Sequence, residues 1–185
     1  LIENCYFSAI GTDIISYVPS ISSGGVGNVI KNCTFHNAGS HIITPDGSLH
    51  KIFNNEIYDA CKEVHDSGAI YDGRNLYTRG VEIANNYIHH VKSLDKTIGE
   101  IACGVYMDDR LSEWYIHHNI FEGMSRGVFM NQGNDAEIHD NIFINNDVGV
   151  RISGAKGQWL NVKEDAKAWT EQYPIYLERF PKIAN

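Results

Sequence analysis

Two stretches of this chain, YIHHNIFEGMSRGV at 115–128 and EIHDNIFINNDVGV at 137–150, are near copies set 22 residues apart. They are the plainest members of a wider repeat. Ile, then Asn or Cys three residues on, then Phe or Ile two further, recurs from Ile2, Ile30, Ile52, Ile83, Ile116 and Ile138. The starts are separated by 28, 22, 31, 33 and 22 residues, so the basic unit is 22 with insertions in three intervals. A short period of this kind means a solenoid, whose units cannot bury their apolar residues alone and do so against their neighbours.

Each unit carries a second short apolar stretch: HIIT at 41–44, AIY at 69–71, GVYM at 104–107, GVFM at 127–130 and GVRI at 149–152. Strands of three to five residues are too short to stand alone, but stacked about 4.8 Å apart they build long parallel sheets. The expected fold is all-β, a right-handed single-stranded parallel β-helix of about six rungs over 1–154. Stacking puts Asn55, Asn86, Asn119 and Asn141 in one column, where a side-chain amide at a turn donates to one neighbouring rung and accepts from the other. Cys5 and Cys33 occupy the same column and read as thiols at a tight corner; the four cysteines show no zinc or redox spacing. A leucine-rich repeat fails for want of its Leu pattern, and helical repeats fail because the apolar period is two.

The last thirty residues break the pattern. Asn161 with Glu164 resembles a helix-start pair, Val162, Ala166, Trp169 and Tyr173 share one helical face, and Pro174 is expected to stop the run before a short turn in PIYLERF. Residues 155–185 therefore read as an amphipathic helical flap on the coil. The chain begins inside a rung, the expectation for a piece of a longer protein.

Insertions in a solenoid map to loops on one side, often the binding face. The enlargements within CKEVHDSG and VKSLDKTIGEIACG fall at one corner and point to the surface near 60–75 and 92–110. Setting Tyr71 on Tyr106 on Phe129 sends Ile70, Val105 and Val128 inward and the aromatics outward, either as exposed stacked rings suited to sugars or as rings packed under a covering loop or flap. Setting Gly68 on Gly104 instead shifts the register by one and turns Tyr71 inward. Under the first register Asp46, Arg74, Asp109 and Gln132 share a column beside Gly73, Asp108 and Asn131, and an Arg between carboxylates would orient them. Paired carboxylates beside aromatic rings suit glycosidic-bond cleavage; a charge-balanced solvated ladder is the plain alternative. His65, next to Asp66 in the rung 3 insertion, could tune a carboxylate or touch sugar hydroxyls. His117 and His139 share a column with Glu3, Lys31, Phe53 and Ala84, too mixed for a metal site.

HDSGAIYDGRNLYTRGVEIANNYIHHV, GVYMDDRLSEWYIHHNIFEGMSRGVFMNQGNDAEIHDNIF and YPIYLERFPKIAN together resemble the bacterial right-handed β-helix proteins of the pectin-lyase-like superfamily, especially those of glycoside hydrolase family 141. The resemblance covers residues 50–185. It implies a secreted or periplasmic protein that degrades plant or algal cell-wall polysaccharide, with two aspartates for acid/base work: Asp66 in HDSG and Asp108 or Asp109 in MDDR, supported by Arg74, Tyr71 and Tyr106. Relatives carry Gly-Arg-Asp where this chain has Gly73-Arg74-Asn75, so that Asp has no counterpart here. Asp72 lies outside the shared pattern and reads as a local variation.

The net charge of −8, with fifteen scattered Lys and Arg, argues against a nucleic-acid partner, and no apolar run is long enough to cross a bilayer. A hydrolase needs no cofactor or metal. The competing enzyme is a polysaccharide lyase with Ca²⁺ on Asp46, Asp108 and Asp109 and Arg74 or Arg110 as base; the non-enzymatic alternative is a glycan-binding β-helix. Catalytic candidates are thus Asp66, Asp108 and Asp109; substrate contacts are His65, Tyr71, Arg74, Tyr106, Phe129, Asn131 and Gln132.

Overall fold

The structure, a computed structural model, describes residues 1–11, 16–94, 101–154, 167, 170–171 and 174–181. The repeat stacks as its spacing requires. Ile2, Ile30, Ile52, Ile83, Ile116 and Ile138 pair rung to rung in one parallel sheet. A second parallel sheet aligns Phe7, Phe35, Ile57, Ile88, Phe121 and Phe143. A third aligns Ile21, Ile43, Ile70, Val105, Val128 and Val150. Each sheet has six strands, one from every rung, so the chain is a parallel β-helix of six turns. These three apolar columns meet inside the coil: Ile30, Ile52, Ile83, Phe35, Ile57, Ile88, Ile70, Val105 and Val128 are buried in a single core. Removing that apolar area from water is the main stabilising term.

The corner between the first two sheets explains the polar part of the repeat. Asn4, Asn32, Asn54, Asn85, His118 and Asp140 have φ between 52 and 56°, the left-handed region that short polar side chains tolerate. The ladder residue is the next one along. Asn55 Nδ2 donates to Asn86 Oδ1, Asn86 Nδ2 to Asn119 Oδ1 and Asn119 Nδ2 to Asn141 Oδ1, each at 3.0 Å. The same side chains take up the backbone groups that the corner removes from the sheets: Asn86 N–H donates to Asn119 Oδ1, and Asn119 Nδ2 to the Ile83 carbonyl. Cys33 continues the column by accepting from Cys5 N–H through sulfur at 3.4 Å, and all four cysteines are free thiols.

The third sheet differs from expectation in strand length. Asp66–Gly73 and Ile101–Asp108 run eight residues, because part of each insertion joins the sheet, as the pairing of Asp66 with Ile101 shows. A residue that pairs exchanges water for a backbone partner on the neighbouring rung. Tyr71 pairs with Tyr106 and Tyr106 with Phe129, so the Tyr-on-Tyr register holds and the Gly-on-Gly alternative falls.

Residues Leu1–Ser153 and Gly154–Asn185 form two compact units. In the second, the described helix is Pro174–Arg179. Pro174, expected as a stop, is the first residue of this helix, a position where its missing N–H costs nothing. Residues 161–166, 169 and 173, on which the expected amphipathic helix rests, lie outside the described residues.

Candidate active site

Alternation sends Tyr71 and Gly73 outward from one rung and Tyr106 and Asp108 from the next, and a break in the alternation before Val105 puts Cys103 on the same outer side. Tyr106 and Phe129 form a small buried cluster with Cys103 that is separate from the main core, with Tyr71 and Ile101 packed against it. Tyr106 lies edge-on to Tyr71 at 5.4 Å and stacks on Phe129 at 4.6 Å. Gly68 is needed beneath this cluster, since a Cβ there would stand 2.9 Å from Tyr106 Cβ. The rings do not form the exposed platform, one of the two arrangements that alternation allows: Tyr106 is 3% and Phe129 7% exposed, and Tyr71 alone of the three is half-buried.

The Tyr71 hydroxyl of this cluster is directed at a carboxylate. Tyr71 donates to Asp108 Oδ2 at 3.1 Å, while Asp108 Oδ1 accepts from Asn131 Nδ2 at 2.9 Å and from Asp109 N–H at 2.8 Å. Asp108 is buried and its orientation is set by three donors. Asp66 stands at the other end of the strand, and the Tyr106 phenol lies within the field of both carboxylates. Burial and then the Asp108 charge raise the Asp66 pKa, against the pull of Tyr106, His65 and Arg126. Burial, followed by Asp108, likewise raises the pKa values of Tyr71 and Tyr106 and keeps both phenols as donors.

Other candidates take separate places. Asp109 is ion-paired with Arg74 at 2.7 Å on the flank of the sheet. Asp46, expected in that column, instead accepts from Asn75 Nδ2 at 3.2 Å and from the Tyr77 hydroxyl at 2.8 Å. The expected Arg between two carboxylates is therefore an Arg74–Asp109 pair, because the chain turns sharply at Arg74, with φ 67°, and carries Asn75 over Asp46. Gln132 shares that positive φ, and its buried Oε1 has no hydrogen-bond partner. Asn131 reaches the site through Asp108. His65 contributes its backbone carbonyl, which accepts from Ile101 N–H, and a charge felt at Asp66. The carboxylates of Asp46, Asp108 and Asp109 each serve a different partner, and no group of three or more metal-ligating side chains gathers among the described residues.

Asp72 is buried at the end of the strand, where it accepts from Gly73 N–H, Asn75 Nδ2 and the Thr78 hydroxyl. Asn75 thus donates to both Asp46 and Asp72, and an Asp in its place would add a third negative charge at this corner. Burial pushes the Asp72 pKa up to about 6 despite those donors. A carboxyl whose folded pKa is raised favours folding below the unfolded pKa of about 4 and loses that advantage as pH rises through 6. Asp72→Asn should therefore flatten the stability decline between pH 4 and 6 by about 2–3 kcal/mol relative to wild type. Urea midpoints measured across that interval check this; parallel pH curves for the two proteins would refute it.

Sequence reasoning missed His41, Arg126 and Tyr17. His41 is buried beside Tyr71 at 5.4 Å, its pKa is lowered by burial to about 4, and it is neutral at physiological pH. Its place in HIIT, one residue before the inward Ile42, marks it as outward. Arg126 pairs with Cys103 in the sheet and lies over the Phe129 ring at 4.7 Å. Tyr17 belongs to the first interval of the repeat, whose excess over 22 residues precedes a third-sheet strand as the later insertions do. That excess was the signal available.

The family model described as right handed beta helix region matches residues 1–163. Neither the curated proteins nor the solved structures returned a match.

Proposed function

This chain belongs to the right-handed β-helix family, and from that premise we propose that it is a glycoside hydrolase acting on a plant or algal cell-wall polysaccharide. The observation that carries the reading is the aromatic cluster of Tyr71, Tyr106 and Phe129 flanked by two carboxylates remote in sequence whose surroundings differ, Asp66 exposed and Asp108 buried among three donors. Asp66, accessible and with a raised pKa, is the general acid that protonates the departing glycosidic oxygen. Asp108, fixed by Tyr71, Asn131 and the Asp109 amide, is the carboxylate that attacks the anomeric carbon or takes a proton from the attacking water. The C–O bond breaks, water supplies the new hydroxyl at the anomeric carbon, and the proton given by Asp66 ends on the leaving sugar. A carboxyl whose environment raises its pKa is suited to the acid role. Asp109, tied to Arg74, keeps the flank of the site in place. The resemblance to the family 141 hydrolases supports the substrate class.

Incubation with xylan, xyloglucan and pectin separates the alternatives. Hydrolysis releases reducing ends without an unsaturated sugar. A rise in near-ultraviolet absorbance would instead mark elimination, and glycan binding that survives Asp66→Ala and Asp108→Ala with no product would mark a non-catalytic module.

A further inference from the structure

We propose that Tyr17 is a substrate-binding residue whose exposed ring forms the wall on which a neutral sugar unit stacks at the Asp66–Asp108 site. The inference rests on the carbohydrate-active reading above and adds a residue from outside the segment that resembles known hydrolases. Tyr17 is far from the site in sequence. Its hydroxyl nevertheless donates to the Asp66 backbone carbonyl at 3.3 Å, and its ring lies 5.7 Å from Tyr71 and 6.2 Å from His41, tilted to both. Those two rings fix the Tyr17 ring from behind while 53% of the residue stays open to solvent. Its backbone has φ 55°, a left-handed conformation uncommon for a bulky residue and found where surrounding structure imposes it. A buried anchor would hide its ring; this one is held in a costly conformation and leaves its ring uncovered.

The electrostatics agree with the geometry. The Tyr17 pKa is raised by burial of its hydroxyl end and then by the charges of Asp66 and Asp108, so the phenol stands within the field of both carboxylates and stays protonated as a donor. Tyr106 and Phe129, the rings expected from sequence to meet sugar, are buried. Tyr17 and the edge of Tyr71 are the aromatic surface left to do so. An aromatic face takes the apolar face of a sugar without needing charge, which suits a ligand without charge of its own.

Titration calorimetry with xylohexaose and with a fucosylated xyloglucan oligosaccharide tests the assignment, using the full chain carrying Asp66→Asn and Asp108→Asn so that no turnover intrudes. Added Tyr17→Phe should bind within about three-fold of this parent, while Tyr17→Leu, which fills similar volume without a π face, should bind about ten-fold more weakly at an unchanged melting temperature. Equal binding by parent and Tyr17→Leu overturns the proposal, as does a loss that tracks the melting temperature in both variants, or a parent that binds neither sugar. The two readings fail separately. A ten-fold loss in Tyr17→Leu with no product from the wild-type chain would retain the stacking wall and remove the hydrolase.

Discussion

Asn119→Ala should be among the most damaging single substitutions in the coil, lowering stability by about 3–5 kcal/mol. Asn119 is fully buried, and its amide serves three rungs. Its Oδ1 accepts from Asn86 N–H at 2.9 Å and from Asn86 Nδ2 at 3.0 Å; its Nδ2 donates to the Ile83 carbonyl at 2.9 Å and to Asn141 Oδ1 at 3.0 Å. Truncation removes one side chain but strands donors and acceptors on both neighbours, and each buried group left without a partner costs about 1–3 kcal/mol. The corner excludes water, which could otherwise restore part of the loss. Asn119→Cys should do less harm, because Cys33 shows that sulfur at this position can accept a backbone N–H. The order wild type, Cys, Ala should appear in urea midpoints, with the Ala variant melting about 10 °C below wild type. An Ala variant within about 1 kcal/mol of wild type would mean that the ladder follows from the stacking and does not hold it.

The same column shows why the coil could be read from sequence. A β-helix places one residue of every rung in the same environment, so each structural demand is written six times, as Ile for the first sheet, Asn or Cys for the corner, and Phe or Ile for the second sheet. Repetition left two registers for Tyr71, and the pairing of Tyr71 with Tyr106 and of Tyr106 with Phe129 decides between them. The site is different because it occurs once. Asp66 and Asp108 occupy different columns at opposite ends of their strands, and no period relates them. What relates them is the aromatic cluster around Tyr106, packed over the space left by Gly68, a matter of three-dimensional reach. Tyr17 was harder still, being placed by a backbone turn of positive φ inside an insertion whose sequence recurs in no other rung. The exposure of the aromatic column stayed open for a related reason: alternation settles that a side chain leaves the core, and it does not settle what lies over it.

Asp66→Asn and Asp108→Asn should each lower kcat/KM by about 10²–10⁴-fold, the range for removing a positioned acid or base. Amide replacements keep shape and most hydrogen bonds, so the folded protein and its affinity for oligosaccharide should survive. The two roles are told apart by pH. Loss of activity at the alkaline side reports the deprotonation of Asp66, whose pKa is held up by burial and the Asp108 charge and drawn down by Tyr106, His65 and Arg126. Arg126→Leu removes a cation that favours ionised Asp66; the carboxyl then keeps its proton to higher pH and the alkaline limb moves up. Tyr106→Phe removes a phenol that favours ionised Asp66, which also moves that limb up, and because the phenol lies in the field of Asp108 as well its loss should lower the plateau. Arg74→Leu is the contrast, because its partner is Asp109 and its effect should fall on stability of the flank more than on the limb. A protein that only positions glycan would show none of this ordering. Asn variants that retain more than a tenth of wild-type turnover, or an alkaline limb that moves down in Arg126→Leu, would take the acid role from Asp66, since a proton donor must become harder to deprotonate when its neighbouring cation is removed.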